Sequence, residues 1–210
     1  MQVLWHEPAL ALLLGYLIGS IPFGVILTRL GGAGDVRAIG SGNIGATNVL
    51  RTGRKGLAAA TLLLDLAKGA VAVCLVRLLS PDDAVLAGAA AVLGHIYPVW
   101  LRFHGGKGVS TFMGVALALD WRIGLIYAAL WLGMIAVTRI SSLGGMAAAA
   151  SVPVASLMLG RTDLFPLTGA LALIILWCHR ANLKRLLRGE EPRIGASKSG
   201  DAVTQRGSSV

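Results

Sequence analysis

The chain carries little charge for its length, and acidic residues are scarcer than basic ones. Of its 210 residues, 14% are charged and 55% hydrophobic, with 10 acidic against 19 basic side chains, and the mean hydropathy is +0.73. This composition excludes an ordinary water-soluble domain. The two cysteines, Cys74 and Cys178, lie in apolar runs without Cys-x-x-Cys or Cys/His metal spacing. We therefore expect packed, uncoordinated thiols.

The common signatures of nucleophilic and metal-dependent catalysis are also missing. No histidine is followed five residues later by aspartate, and neither Gly-x-Ser-x-Gly nor His-Glu-x-x-His occurs. These absences argue against a conventional catalytic nucleophile and against a catalytic metal.

What the chain does have is apolar runs close to or beyond the roughly 18 to 20 residues that cross a bilayer. These runs cover residues 9–30, 57–79, 84–101 and 164–178. The residues before the first run include Glu7 but no Lys or Arg, so we expect a retained helix rather than a cleaved signal peptide. The sequence therefore predicts an all-α, polytopic integral membrane protein.

Basic stretches alternate along the chain with acidic turns. Basic residues gather in 29–55, 102–108, at Arg139 and after 179, whereas acidic residues occur at Glu7, 81–83, 120–122 and 161–163. By the positive-inside rule, this alternation predicts seven transmembrane helices with the N-terminus outside and the C-terminus cytoplasmic. Residues 109–137 are too long for one helix, so we expect two short or tilted helices; a re-entrant first one would reduce the count to six.

We expect a single membrane-embedded domain over residues 1–188. Residues 189–210 are rich in Gly, Ser and charge. This composition predicts a disordered basic cytoplasmic tail that can rest on anionic lipid.

The first polar segment, residues 41–48, reads Ser-Gly-Asn-Ile-Gly-Ala-Thr-Asn and is followed by Arg51. Glycines let backbone amides turn toward one point, and the hydroxyl, amide and guanidinium groups nearby can complete an anion cradle. The segment therefore predicts either a phosphate site or a flexible loop. A dinucleotide site is excluded because no strand precedes the glycines.

The second segment, residues 105–111, reads Gly-Gly-Lys-Gly-Val-Ser-Thr and opens an apolar run. A glycine-rich turn at the start of a helix presents free amides and the positive end of the helix dipole, and Lys107 adds a full charge. These features favour phosphate binding, with a basic helix cap as the alternative. The spacing is not that of a Walker A motif, so ATP is not indicated.

The third segment joins residues 139–142 to residues 177–185. On a helix, His179, Asn182 and Arg185 recur at a spacing of three and face one side. They form either a polar binding group or the ordinary basic anchor of a last membrane helix.

Asp65 and Lys68 lie three residues apart in an otherwise apolar run. Charges inside a membrane need a partner or a function. We expect a mutual ion pair, with contact to a substrate as the alternative. His95 and His104 flank a Tyr-Pro break, and we expect structural roles for both.

As a set, these segments closely resemble the bacterial acyl-phosphate:glycerol-3-phosphate acyltransferase family (PlsY type). The matching segments, in order along about residues 10–191, are 19–24, 41–48, Gly94-His95 with 105–111, and His179-Arg180-x-Asn182. One position departs from the family pattern, because residues 189–191 read Gly-Glu-Glu where the family usually has Gly-Thr-Glu.

The resemblance implies a seven-helix, multi-pass enzyme of the bacterial inner membrane with its active site on the cytoplasmic face. Such an enzyme transfers a fatty acyl group from acyl phosphate to the sn-1 hydroxyl of glycerol 3-phosphate, giving lysophosphatidate and inorganic phosphate. It needs no metal, nucleotide or other cofactor, and no nucleic acid or obligate protein partner is implied. Its partners are the two substrates and the lipid bilayer.

The resemblance also implies roles for individual residues. The catalytic residues that hold glycerol 3-phosphate would be Lys107, His179, Ser142, Asn182 and Arg51. The other substrate-binding residues would be Ser41, Gly42, Asn43, Gly45, Thr47 and Asn48 at the acyl-phosphate head, together with Gly105, Gly106, Gly108, Ser110, Thr111, Ser141 and Arg180. Either His179 or the donor's own phosphate would act as base. The alternative function is a transporter of a phosphorylated anion, although no internal repeat is visible.

Overall fold

The chain folds into a bundle of α-helices in this computed structural model, which describes residues 8–195. The helices of that range are α1 (Pro8–Gly19), α2 (Phe23–Leu30), α3 (Ala46–Val49), α4 (Lys55–Leu79), α5 (Ala84–Ile96), α6 (Val109–Leu119), α7 (Trp121–Thr138), α8 (Ser141–Met158), α9 (Phe165–Cys178) and α10 (Arg180–Leu187). No strand occurs between residues 8 and 195. The predicted all-α class is confirmed.

Four helical segments within the described range are long and apolar enough to cross a membrane. They are Pro8–Leu30, Pro81–Leu101, Trp121–Thr138 and Ser141–Met158. Helix α6 has 11 residues, so it rises about 16 Å, roughly half of the hydrocarbon core. Large apolar side chains such as Leu125, Leu132 and Val137 project outward from α7. They form the kind of surface that lipid covers.

The first apolar run is a broken helix rather than a continuous one. Helix α1 ends at Gly19 and α2 begins at Phe23, because Pro22 has no N–H with which to continue the ladder of hydrogen bonds. At the break, the Ile21 carbonyl accepts the Phe23 amide at 3.1 Å, and the Lys68 ammonium also donates a hydrogen bond to it at 2.8 Å. The predicted break in residues 109–137 is confirmed at Asp120, whose Oδ1 accepts a hydrogen bond from the Arg122 amide at 3.0 Å.

Glycines allow the helices to approach closely. A Cβ at Gly15 would collide with the Ala87 carbonyl, where α1 crosses α5, and a Cβ at Gly114 would collide with the Leu66 carbonyl, where α6 crosses α4. Close backbone contact through small residues is the usual way in which helices associate in lipid. These crossings fix α5 and α6, which bracket the glycine-rich turn.

The polar segments gather at two opposite ends of the bundle. At one end, Arg161 Nη1 lies 3.5 Å from Asp120 Oδ2, and an open groove of about 440 Å³ joins Arg77 to residues 117–122. At the other end, which we call the site end, Thr47 Oγ1 lies 2.8 Å from Ser141 Oγ. At this end the Lys107 ammonium also donates to Asn182 Oδ1, so each of the three motif segments contacts another of them.

The start of the predicted tail differs from the prediction of disorder. The Ile194 amide donates to the Arg139 carbonyl at 2.7 Å, and the Arg139 guanidinium donates back to the Ile194 carbonyl at 2.8 Å. Residues 189–195 are thus held against the site end, where the acidic side chain of Glu191 lies among basic groups. The rest of the predicted tail, residues 196–210, lies outside the described residues.

Candidate active site

The loop of residues 41–48 is shaped by the buried side chain of Asn48. Its Nδ2 donates to the carbonyls of Val36, Ile39 and Asn43 at 2.8 to 2.9 Å. Its Oδ1 accepts from the Ser41 amide at 3.2 Å. These bonds use both N–H groups of the amide and one lone pair of its oxygen, so Asn48 holds the shape of the loop.

Two glycines turn this loop toward the site. Gly40 and Gly42 have φ values of 56° and 70°, in the left-handed region that favours glycine. The Gly45 amide is occupied by Asn43 Oδ1 at 2.8 Å. The Gly42 amide donates to the Ile39 carbonyl at 3.0 Å, whereas the exposed Ser41 lies at the turn, where its hydroxyl is available to an anion.

The glycine-rich turn after α5 does not present all of its amides to a ligand. The Gly105 amide donates to the Ile96 carbonyl at 3.0 Å, and the Gly106 amide donates to the His95 carbonyl at the same distance. Within residues 8–195, the amides of Lys107 and Gly108 have no backbone partner. The part of the turn available to an anion therefore begins at Lys107, at the N-terminus of α6.

Lys107 carries a partly buried positive charge at the centre of the site end. Its ammonium donates a hydrogen bond to Asn182 Oδ1. The pKa of Lys107 is lowered to about 8, mainly by burial; the charge of Glu191 opposes this shift, and the charges of Arg185 and Arg51 contribute to it. The side chain is therefore mostly protonated at neutral pH but poorly hydrated, so an incoming anion would interact with it strongly.

His179 is neutral and has a defined tautomer. Its Nδ1 lies 2.8 Å from the Ile175 carbonyl, and because a carbonyl only accepts, the ring proton is on Nδ1. Burial, and then the charge of Lys107, lowers the pKa of His179 to about 4. The lone pair is on Nε2, which faces Gly145 of α8 and can accept a hydrogen bond or a proton.

Glu191 joins the predicted residues to one another and was missed at the sequence level. Its Oε1 accepts from Ser142 Oγ at 2.7 Å and from Asn182 Nδ2 at 2.6 Å, and its Oε2 accepts from Arg185 Nε at 2.7 Å. Burial alone would raise the pKa of Glu191, but the hydrogen bonds from these three residues hold it below its usual value. The available signal was the match of Glu191 to the last residue of the family pattern Gly-Thr-Glu.

Two predicted binding residues lie apart from this cluster. Arg180 is exposed, donates to the Trp177 carbonyl at 3.1 Å and stacks on the Trp177 ring. Thr111 is fully buried inside the bundle. Across residues 8–195, no three His, Cys, Asp or Glu side chains form a group that could hold a metal ion.

The fold and the site define a helical membrane bundle with a hydrogen-bonded cluster of basic and polar side chains at one end. A family profile described as glycerol-3-phosphate acyltransferase matches residues 9–189. The chain belongs to the glycerol-3-phosphate acyltransferase family.

Individual relatives agree with this assignment. A glycerol-3-phosphate acyltransferase of Erythrobacter litoralis (strain HTCC2594) is 57% identical over 189 residues, covering 90% of this chain and 96% of the relative. One of Maricaulis maris (strain MCS10) is 57% identical over 186 residues, covering 88% and 86%. The crystal structure of PlsY, an integral membrane glycerol 3-phosphate acyltransferase, in its glycerol 3-phosphate form has a TM-score of 0.84 at 34% identity, covering 90% and 96%. Its lysophosphatidic acid form has a TM-score of 0.82 at 33% identity, covering 90% and 95%.

Proposed function

We propose that this protein transfers a fatty acyl group from acyl phosphate to the sn-1 hydroxyl of glycerol 3-phosphate, releasing lysophosphatidate and inorganic phosphate. The observation that carries the proposal is the cluster of Lys107, Ser142, His179 and Asn182, which distant parts of the chain bring to one end of the bundle. Solved PlsY structures in glycerol 3-phosphate and lysophosphatidic acid forms support it, because these are the proposed acceptor and product.

Two anion sites lie close enough to serve one reaction. Lys107 and Arg51 supply positive charge for the phosphate of glycerol 3-phosphate, with Ser142 and Asn182 as hydrogen-bonding partners. The loop of residues 41–48 supplies the acyl-phosphate site, and its Thr47 hydroxyl lies 2.8 Å from Ser141 Oγ, directly before Ser142. This contact supports a shared pocket in which the acceptor hydroxyl meets the acyl carbon.

For this reaction, the protein needs mainly to align the two substrates and to neutralise the charge of their phosphates. The sn-1 oxygen attacks the acyl carbon, the bond between that carbon and the phosphate oxygen breaks, and phosphate leaves. Acyl phosphate is already activated, so aligned substrates and neutralised phosphate charge lower the barrier without a covalent acyl-enzyme. A histidine with a pKa of about 4 is a weaker base than a phosphate group, whose second pKa is about 6. We infer that the hydroxyl proton passes to the donor phosphate, while His179 Nε2 orients the acceptor.

We further propose seven membrane crossings, with the site end facing the cytoplasm of a bacterial cell and the membrane being the inner one. The gathering of basic stretches at the site end and of acidic turns at the other supports this orientation. The acyl chain would remain between the helices while both phosphates stay at the polar end.

Purified protein in detergent tests the donor and the acceptor together. Palmitoyl phosphate with radiolabelled glycerol 3-phosphate should give labelled lysophosphatidate and an equal amount of phosphate, whereas palmitoyl-CoA should give none. Activity with palmitoyl-CoA but not with palmitoyl phosphate would contradict the proposal. Uptake of glycerol 3-phosphate into proteoliposomes without acyl transfer would favour the transporter instead.

A further inference from the structure

Helices α4 and α5 contain a buried polar group beneath the glycine-rich turn. We propose that His95, backed by the ion pair of Asp65 and Lys68, is a positioning residue that fixes the turn and thereby places Lys107 for glycerol 3-phosphate. The inference rests on the proposed function, because it assigns a task at the same phosphate site.

The ion pair is buried and reaches the break in the first apolar run. Lys68 Nζ lies 2.7 Å from Asp65 Oδ1, and both side chains are 2% exposed, which confirms the predicted mutual pair. The same ammonium donates to the Ile21 carbonyl at 2.8 Å. Taking two charges out of water is costly and is repaid only by good mutual geometry and further hydrogen bonds. The pair therefore ties α4 to the segment between α1 and α2.

His95 connects this pair to the turn. Its Nδ1 lies 3.6 Å from Asp65 Oδ1, and in the described part of the chain this nitrogen has no hydrogen-bond partner. On the other side of the ring, a Cβ at Gly106 would collide with Nε2, and the three atoms nearest to that Cβ all belong to the His95 ring. The ring is held between Asp65 and Gly106.

The backbone strengthens the same contact. The His95 carbonyl accepts the Gly106 amide at 3.0 Å, so both the ring and the main chain of His95 contact the residue that precedes Lys107. An ion pair alone would satisfy Asp65 and Lys68, but it does not require a histidine against the turn. In this arrangement, His95 determines where Lys107 lies. A misplacement of about 1 Å at such a site can lower the reaction rate by about 10²-fold.

The first test measures binding of glycerol 3-phosphate to the purified full-length protein by calorimetry. His95→Gln should weaken binding by at least about tenfold and raise KM for glycerol 3-phosphate in parallel, because Lys107 is no longer held in place. KM for palmitoyl phosphate should change by less than about twofold, as for a change outside its site. Binding within about twofold of wild type would overturn the proposal, whatever happens to the melting temperature.

Thr168→Val is the matched control. Thr168 is as buried as His95, and its hydroxyl donates to the Leu164 and Phe165 carbonyls at the start of its own helix. This variant should lose stability while keeping wild-type affinity for glycerol 3-phosphate. Equal weakening in the control and in His95→Gln would assign the effect to general destabilisation and overturn the proposal.

A second pair of variants keeps the test decisive if His95→Gln folds poorly. Gly106→Ala should weaken glycerol 3-phosphate binding because the new methyl group pushes against the His95 ring. Because both residues act through the one contact between the His95 ring and the turn, adding His95→Ala should cost little more, and the double variant should bind within about twofold of the weaker-binding single variant. Fully additive losses would overturn the proposal.

The same measurements separate this inference from the proposed function. Wild-type protein that binds glycerol 3-phosphate but transfers no acyl group would defeat the proposed reaction, while the His95 comparison would still be decided by binding. Wild-type protein that does not bind glycerol 3-phosphate would overturn both.

Discussion

The ammonium of Lys107 donates a hydrogen bond to the side-chain oxygen of Asn182, 75 residues further along the chain. The bond links the glycine-rich turn to α10. Asn182 also donates to Glu191, which in turn accepts from Ser142 of α8. The cluster is therefore a single hydrogen-bonded network, and the loss of one member should affect the others.

Lys107→Ala should lower kcat/KM for glycerol 3-phosphate by at least about 10²-fold, the scale of losing one strong electrostatic contact. The control is Lys184→Ala, since Lys184 is exposed on α10 and should be close to neutral. The rate of lysophosphatidate formation measures both. Near-normal turnover of Lys107→Ala would mean that the turn is only a basic helix cap.

The charge of Lys107 should also set an alkaline limit on activity. Its pKa of about 8 means that the ammonium is protonated below that pH and neutral above it. The value of kcat/KM for glycerol 3-phosphate should therefore fall as pH rises through about 8, since this parameter reports the free enzyme. In Lys107→Arg the fall should disappear, because arginine stays charged. If kcat/KM of Lys107→Arg still falls as pH rises through about 8, the group that titrates is not Lys107.

Glu191→Gln should reduce both stability and activity, because a neutral amide offers one acceptor oxygen where the carboxylate accepts from three side chains. The neighbouring Glu190→Gln is the control, since Glu190 is exposed. The melting temperature and the rate of acyl transfer should both be lower for Glu191→Gln than for Glu190→Gln. Equal effects would show that the Glu191 contacts do not matter.

The stability contributed by Glu191 should depend on pH in a defined direction. The pKa of Glu191 in the folded protein lies below its ordinary value of 4.5. The contribution is therefore present above about pH 4.5 and is lost as pH falls through the lower, folded-state pKa. Thermal unfolding of wild type should weaken more than that of Glu191→Gln on acidification, and parallel curves would contradict this account.

Arg185→Ala and Arg180→Ala form a further matched pair. Arg185 donates to Glu191 at 2.7 Å, whereas Arg180 stacks on Trp177 outside the cluster. Activity should fall by about tenfold or more for Arg185→Ala, as expected when a hydrogen bond to a charged group is lost. Arg180→Ala should stay within about twofold of wild type. A larger loss of activity in Arg180→Ala than in Arg185→Ala would contradict this account and place Arg180 in the substrate site.

The sequence was informative where a physical rule acts locally. Hydropathy predicted the helical class, charge alternation predicted which segments share an end, and Asp120 marked the boundary between α6 and α7. Spacing three correctly paired Asp65 with Lys68.

The rest depended on contacts between distant segments. The pattern of residues 41–48 could not show that the Asn48 amide donates to the carbonyls of Val36, Ile39 and Asn43. The adjacent positions of His179 and Arg180 could not show that the first faces α8 and the second faces outward. Glu191 was hidden in a segment whose composition predicts disorder, because composition does not record which basic groups a carboxylate will meet.

The most direct test of the site is an experimental structure of the wild-type protein with glycerol 3-phosphate bound. A phosphate oxygen should lie about 2.8 Å from Lys107 Nζ, as in a charge-assisted hydrogen bond, with the sn-1 hydroxyl directed toward the loop of residues 41–48. A phosphate bound elsewhere, with Lys107 still bonded only to Asn182, would contradict the account.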